Sequence, residues 1–304
     1  MIEIKSVTKK YEDFTAIDNI SFTVDNCSVT GLCGFNGAGK TTLLRVCAGI
    51  FKPESGEVTI DGENVFDNAS NRARLFFVPD EMLLGGSTVK GCAKYYGDYY
   101  PDFDKKIFDN VCEIFGINQK SRTRALSKGM KKQLSLALAF AAKPKYLLID
   151  ETFDGLDPQK KALLRDIMLE YIAETDASVL ISSHSLQELA GVCDRIVLIN
   201  GKNVQLCCDI GDISKNYRRV LLDFEKPVNE IMFKDINYRR IRLSGRRVSL
   251  VICGDIDSEI KKIKALGAES EEITELSLEE VFAEETQSDG KAAGVKTLFD
   301  GVKM

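Results

Sequence analysis

The stretch Gly34-Phe35-Asn36-Gly37-Ala38-Gly39-Lys40-Thr41 decides the fold class of this chain. It fits the pattern GxxxxGK[ST], follows the apolar run Ser28 to Cys33 and opens a helical pattern over Lys40 to Gly49. A strand, a glycine-rich turn and a helix N-terminus in this order form a phosphate-binding loop, because backbone N–H groups meet the anion where no side chain blocks its approach. Lys40 then supplies a charge for the outer phosphates and Thr41 a hydroxyl for Mg²⁺. The stretch predicts an α/β protein that binds a nucleoside phosphate.

Two adjacent carboxylates end another apolar run. Asp150 and Glu151 follow Tyr146 to Ile149, which has the composition of a buried central strand. Ligands of open α/β sheets bind where such strands end. We therefore expect Asp150 to hold Mg²⁺ and Glu151 to accept a proton from an attacking water. An acid pair in this position also commonly caps the next helix, but beside a phosphate loop the catalytic interpretation is favoured.

Strand and helix patterns alternate over residues 1–210, which predicts one α/β domain with a mainly parallel sheet. Residues from about 82 to 142 contain helical patterns only and are interpreted as a helical insert. Residues 211–286 change to strand runs followed by a helix and a capping box at Ser277 and Glu280, which predicts a small α+β domain. The acid-rich run Glu269 to Glu285 is interpreted as a solvated face. Residues 287–304 are expected to form a flexible tail.

Composition narrows the class of protein. The 304 residues are 44% hydrophobic and 29% charged, as in ordinary globular proteins, and the net charge of -5 argues against nucleic acid as a partner. The longest apolar stretch, Leu134 to Ala142, is far shorter than the roughly 20 residues of a membrane-spanning helix. The N-terminus lacks the apolar core of a signal peptide, and the 9 cysteines contain no CxxC pair. We expect a cytoplasmic protein that meets a membrane only through a partner.

Residues 1–210 resemble the ATP-binding cassette (ABC) family in the order and spacing of their motifs. The discriminating piece is Leu126-Ser127-Lys128-Gly129-Met130, which is similar to the signature of that family, and Phe153 to Pro158 resembles its D-loop. The resemblance implies that two cassettes, identical or different, pack head to tail. Ser127 and Gly129 would then contact the terminal phosphate of the nucleotide that the opposite cassette holds.

The resemblance also implies the remaining site residues. His184, the single histidine of the chain, matches the switch histidine that reaches the terminal phosphate, and Tyr11 matches the aromatic residue on which adenine stacks. Glu151, His184 and Lys40 are the predicted catalytic residues. The predicted ATP-binding residues are Tyr11, Gly34, Phe35, Asn36, Gly37, Ala38, Gly39, Lys40, Thr41, Thr42, Ser127 and Gly129. The predicted Mg²⁺ ligands are Thr41, Asp150 and Asp80.

Several positions depart from the family pattern. Lys128 and Met130 stand where the signature has a second glycine and a glutamine, and Asp80 stands where a glutamine follows the strand. Thr152 and Asp154 replace a proline and a serine. These departures change the side chains of the signature and of the segment after the strand, and they leave the predicted core catalytic groups in place.

The function predicted from these residues is that of an ATP-hydrolysing subunit that energises an ABC transporter beneath separate membrane permease subunits. Aromatic residues of the insert either dock on the permease or pack internally: Tyr95, Tyr96, Tyr99, Tyr100 and Phe103. The alternative is a soluble ABC ATPase of translation or DNA repair, which predicts two cassettes in one chain, a coiled coil or a basic surface. A phosphate-loop GTPase or small-molecule kinase would leave the signature unexplained, and the chain lacks the NKxD motif that reads guanine.

Overall fold

The computed structural model describes residues 1–286. The chain divides into two compact units between Cys207 and Cys208, near the boundary expected at residue 210. The tail expected over residues 287–304 lies outside the described residues.

The first part of the chain alternates strands and helices. Its strands are β1 (Ile2–Tyr11), β2 (Phe14–Val24), β3 (Val29–Cys33), β4 (Ser55–Ile60), β5 (Glu63–Asn64), β6 (Leu75–Val78), β7 (Tyr146–Ile149), β8 (Ser178–Ser183), β9 (Arg195–Asn200) and β10 (Asn203–Asp209). Its helices are α1 (Lys40–Cys47), α2 (Ala69–Ala73), α3 (Val89–Tyr99), α4 (Lys105–Ile114), α5 (Lys128–Ala141), α6 (Pro158–Thr175) and α7 (Leu186–Ala190).

A six-stranded sheet carries the predicted site. Its order is β10-β9-β3-β8-β7-β6, and β3 pairs in parallel with both β8 and β9, while β7 pairs in parallel with β6 and β8. Every residue of β3, β7 and β8 is buried, as expected for strands covered on both faces. The carboxyl ends of these three parallel strands therefore meet at one edge, which brings the phosphate loop, the acid pair and His184 together.

A second sheet was not anticipated from the sequence. β1 pairs antiparallel with β2 and with β4, and the order is β2-β1-β4-β5. The prediction of a mainly parallel sheet holds for the six-stranded sheet only. In the second sheet, the tight turn between Tyr11 and Phe14 joins β1 and β2 as an antiparallel hairpin. Buried side chains of this sheet, of α1 and of the central parallel strands form one cluster, which includes Ile4, Leu43 and Leu148.

The helical insert consists of α3, α4 and α5, and residues 82–142 contain no strand. Asp104 caps α4, since its carboxylate accepts from the N–H groups of Lys106 and Ile107. Ser127 caps α5 in the same way, and its hydroxyl accepts from the N–H of Met130 at 3.2 Å. The family signature therefore forms the first turn of a helix.

The second unit contains α8 (Ile210–Asn216), β11 (Tyr217–Asp223), β12 (Tyr238–Ser244), β13 (Arg247–Cys253), α9 (Ile256–Lys264), β14 (Ser270–Glu275) and α10 (Leu278–Thr286). Its antiparallel sheet has the order β12-β13-β11-β14. The capping box forms as predicted, because Ser277 N–H donates to the Glu280 carboxylate at 2.9 Å and Glu280 N–H donates to Ser277 Oγ at 3.3 Å. The interpretation of the acid-rich run as only a solvated face was incomplete, since β14 lies in it and pairs with β11.

Candidate active site

The phosphate loop takes its shape from glycines. Gly37 and Gly39 have φ of 81° and 98°, in the left-handed region that side chains disfavour. A Cβ on Gly39 would lie 2.6 Å from the carbonyl oxygen of Ala16, and a Cβ on Gly34 would lie 2.6 Å from that of Ile199. Gly39 offers no side-chain cap to α1, so the first N–H groups of that helix have no side-chain acceptor at the cap. The loop fits an anion held by backbone donors.

Lys40 is buried at the inner wall of the loop and is only 4% exposed. Its Nζ donates to the carbonyl oxygens of Gly34 at 2.7 Å and Phe35 at 3.3 Å, and it forms an ion pair with Glu151 at 2.9 Å. A buried ammonium needs such partners to offset its lost hydration. The ammonium is therefore fixed between the loop and the predicted general base.

Asp150 joins the loop to the sheet edge. Its carboxylate accepts from Thr41 Oγ1 at 2.8 Å and from Ser182 Oγ at 2.7 Å. Burial raises the pKa of Asp150, and the hydrogen bonds from Ser182 and Thr41 oppose this effect. Thr41 and Asp150 together present the hard oxygen ligands that Mg²⁺ prefers, so the residues present fit the ion.

Ser182 was missed by the sequence analysis. It donates to Asp150, and its hydroxyl accepts from the N–H of Glu151 at 3.1 Å. The signal for its role is the parallel pairing of β7 with β8, in which Ile149 lies opposite Ile181. The next residues of the two strands, Asp150 and Ser182, are therefore adjacent. That register exists only once the strands are paired.

Glu151 has a strained backbone. Its φ is 48°, a conformation that costs a residue with a side chain about 1–2 kcal/mol. The N–H of Glu151 donates to the carbonyl oxygen of Ser182 at 3.2 Å as well as to the Ser182 hydroxyl. The carbonyl oxygen of Glu151 accepts from Lys132 Nζ at 2.6 Å. Non-glycine residues in this region cluster at functional sites, where the surroundings hold them in place.

The carboxylate of Glu151 meets the single histidine. His184 Nδ1 lies 3.2 Å from Glu151 Oε2 and 3.6 Å from Asp154 Oδ1. Burial raises the pKa of Glu151, but the hydrogen bond and charge of Lys40, followed by His184, outweigh it and leave the pKa below its usual value. Glu151 is therefore ionised at neutral pH and able to accept a proton.

Other predicted binding residues surround the loop. Tyr11 is partly exposed, with its hydroxyl 3.4 Å from Thr42 Oγ1 and its ring edge-on to Phe51 at 5.9 Å. Phe35 and Asn36 are exposed at the loop tip, and Ala38 N–H donates to the Phe35 carbonyl. The structure thus brings Tyr11 and Thr42 together beside the phosphate loop.

The signature residues and Asp80 are placed differently. Ser127 and Gly129 lie at the start of α5, where Ser127 is exposed and Gly129 is partly exposed. Asp80 Oδ1 lies 2.6 Å from Lys132 Nζ, and Oδ2 lies 3.4 Å from Lys128 Nζ. Both carboxylate oxygens of Asp80 therefore face lysines, and its assignment as a Mg²⁺ ligand stays a prediction.

Comparison with known proteins places this geometry in a family. The family model described as ABC transporter matches residues 17–154. The uncharacterized ABC transporter ATP-binding protein YhcH of Bacillus subtilis is 32% identical over 212 residues, which cover 68% of this chain and 69% of that protein. The chain belongs to the family of ABC transporter ATP-binding proteins. The predicted fold class and family are confirmed, and as a member the chain is an ATP-binding, ATP-hydrolysing subunit.

Two further comparisons extend the likeness of this ABC ATP-binding protein. The ABC transporter ATP-binding protein YtrB of Bacillus subtilis is 28% identical over 283 residues, which cover 93% of this chain and 97% of YtrB. Such coverage includes most of the second unit as well as the cassette. A solved structure titled as the ATP binding subunit of an ABC transporter superposes with a TM-score of 0.64 at 25% identity, over 71% of this chain and 92% of that one. Among residues 1–286, no helix is long and apolar enough to cross a membrane.

Proposed function

We propose that this subunit binds Mg-ATP on the loop from Gly34 to Thr41 and hydrolyses the terminal phosphate bond with Glu151 as the general base. The observation that carries the proposal is the meeting of Lys40, Asp150, Glu151 and His184 at one edge of the sheet. Asp150 and Glu151 follow β7, His184 follows β8, and Lys40 begins α1 after the loop. Glu151 contacts Lys40 at 2.9 Å and His184 at 3.2 Å, and Ser182 bonds both Asp150 and the N–H of Glu151.

Each group has a distinct task in this reaction. The loop N–H groups and Lys40 bind the β- and γ-phosphates, and Lys40 stabilises the charge that develops as the bond breaks. Glu151 takes the proton of the attacking water, while His184 orients that carboxylate and reaches toward the terminal phosphate. Thr41 and Asp150 would hold Mg²⁺, which supplies positive charge for the leaving diphosphate.

The proposed site is completed by a second cassette. Ser127 offers its hydroxyl and the N-terminus of α5 to an anion; Ser127 is exposed and Gly129 is partly exposed. In a head-to-tail dimer they would contact the terminal phosphate held by the opposite cassette.

The proposed permease contact is the outer surface of the helical insert. Three of the five insert aromatics pack internally: Tyr96 and Tyr100 lie on Phe76, with ring centroids 5.5 and 5.1 Å away, and Phe103 lies 6.2 Å from Phe108. Tyr95 and Tyr99 are 42% and 68% exposed. Leu83, 93% exposed, precedes them. Exposed aromatic and aliphatic side chains are typical of protein interfaces, and this surface would hold the subunit at the inner face of the membrane.

The ATP site is tested by calorimetric titration of the pure protein with ATP in magnesium buffer. Saturable heat is expected for the parent, and Lys40→Ala should weaken binding at least tenfold, because hydrogen bonds to charged groups are each worth about 1.5–3 kcal/mol. No heat at millimolar ATP would overturn the proposal.

The permease surface is tested by co-expression with a multi-span protein encoded beside this chain. Tyr99→Asp should abolish co-purification and leave ATP affinity unchanged, whereas the exposed Leu169→Asp on α6 serves as the control. Retained association of the Tyr99 variant would remove the insert from this role.

A further inference from the structure

Two departures of this chain from the family pattern contact each other. Asp80, which replaces a glutamine after β6, lies 3.4 Å from the Nζ of Lys128, which replaces a signature glycine. Lys132 lies one helical turn after Lys128, on the same face of α5. Its Nζ lies 2.6 Å from the other oxygen of Asp80. The Asp80 carboxylate thus forms ion pairs with two lysines of α5, the helix that begins in the signature.

Lys132 is the inner member of this group. Its side chain is 5% exposed, compared with 60% for Lys128 and 42% for Asp80. A buried ammonium is costly unless its donors are paired, and Lys132 has two short contacts: the Asp80 carboxylate and the carbonyl oxygen of Glu151, each at 2.6 Å. This lysine therefore bridges the segment after β6 and the backbone of the proposed general base.

The bond to Glu151 acts on a residue that needs support. With φ at 48°, Glu151 lies outside the conformations that its side chain favours. Ser182 fixes its N–H from one side, and Lys132 fixes its carbonyl from the other. The two hydrogen bonds orient the peptide planes before and after Glu151. They therefore set the direction in which the Glu151 side chain points from its Cα.

We propose that Asp80 and Lys132, assisted by Lys128, form an ion-paired latch that positions Glu151 for proton abstraction and ties it to the signature helix. The inference rests on the proposed role of Glu151. Lys132 is a positioning residue in this latch, because it acts through the backbone of Glu151. Asp80 serves the latch as an anchor for Lys132.

The latch is tested by steady-state ATP hydrolysis of Lys132→Met, Lys132→Arg and Asp80→Asn. Lys132→Met keeps the length of the side chain but removes the donors, so kcat should fall at least tenfold, since a displacement of about 1 Å near the chemistry can cost on the order of 100-fold. KM for ATP should change less than about threefold, because the phosphate loop is untouched. Lys132→Arg restores a donor and should recover part of kcat. Lys131→Met, exposed on the same helix, is the matched control.

A double-mutant cycle separates positioning from general damage to the fold. In a Glu151→Gln background, whose residual rate is measured by single turnover, Lys132→Met should cause no further loss, because the group that it positions is already disabled. A structural role would lower the rate equally in both backgrounds, and that result would overturn the latch. Asp80→Asn, at a partly exposed position, should also lower kcat and be non-additive with Lys132→Met; it carries the test where Lys132→Met does not fold.

The outcomes also distinguish this inference from its premise. An increased Mg²⁺ requirement in Asp80→Asn, additive with Lys132→Met, would assign Asp80 to the metal and refute the latch. A parent that hydrolyses ATP, a Glu151→Gln variant that does not, and an unaffected Lys132→Met would refute the latch alone. Equal turnover of parent and Glu151→Gln would instead refute the proposed base.

Discussion

Replacing Glu151 by glutamine separates binding from chemistry at this site. Glutamine keeps the size of the side chain but is uncharged and cannot accept the proton of the attacking water. General-base catalysis contributes roughly 100- to 10,000-fold, so kcat should fall by that factor, equivalent to about 2.7–5.4 kcal/mol of transition-state stabilisation.

The same change should not weaken ATP binding. The Glu151 carboxylate pairs with Lys40 at 2.9 Å, so an anionic phosphate competes with it for that ammonium, and the neutral amide should leave ATP affinity equal or higher. Folding stability should fall by about 1.5–3 kcal/mol, the value of one hydrogen bond to a charged group. The loss stays in this range because Lys40 retains its two carbonyl partners.

The stability difference should depend on pH. Lys40 and His184 leave the pKa of Glu151 below its usual value in the folded protein, so ionisation of Glu151 stabilises the fold above the unfolded pKa. This stabilisation is lost as the pH falls through the folded pKa, which lies below the ordinary pKa of a glutamate. Parent and variant should therefore differ at pH 7 and converge under acid conditions.

The assay combines phosphate release, calorimetric ATP titration and urea unfolding at pH 7 and at a series of lower pH values, with the exposed Glu174→Gln as the control. Slow hydrolysis with intact ATP binding supports the reasoning. Parent-like turnover would refute the base assignment, and a large loss of ATP affinity would refute the competition between phosphate and Glu151 for Lys40.

Three other predictions concern the surroundings of the site. Gly39→Ala should destabilise the fold by about 2–5 kcal/mol in urea, because backbone strain adds to the close approach at 2.6 Å, whereas Gly37→Ala, with nothing within 4 Å, should lose only about 1–2 kcal/mol; equal losses would contradict the packing argument. Ser182→Ala should lower kcat about tenfold or more with little change in KM, since it removes one hydrogen bond to the Asp150 carboxylate and one of the two acceptors of the Glu151 N–H, and an unchanged kcat would exclude this role. Burial raises the pKa of Cys33 to about 12, so iodoacetamide should label the exposed Cys27 and spare Cys33 in the native protein, as mass spectrometry can verify.

Much of the cassette was predictable because its signals are local. β7 has the bounds expected from its apolar run, Tyr146 to Ile149. The cap at Ser127 likewise depends on contacts within a few residues. Two features could not be predicted from local signals: the antiparallel sheet of β1, β2 and β4, and the strand β14. Both depend on pairing with a strand that is distant along the chain.

The phosphate loop is predictable from residues Gly34 to Thr41 alone, since they are contiguous and their glycines and lysine carry the chemistry in a single turn. The partners that complete the site depend on the folded arrangement: Ser182 beside Asp150 and Lys132 between Asp80 and Glu151. These contacts join segments that meet only when parallel strands align and the signature helix packs against their ends. A hydrogen bond requires donor and acceptor atoms about 3 Å apart. The number of residues between two positions in the sequence does not tell whether their side chains come this close in the fold.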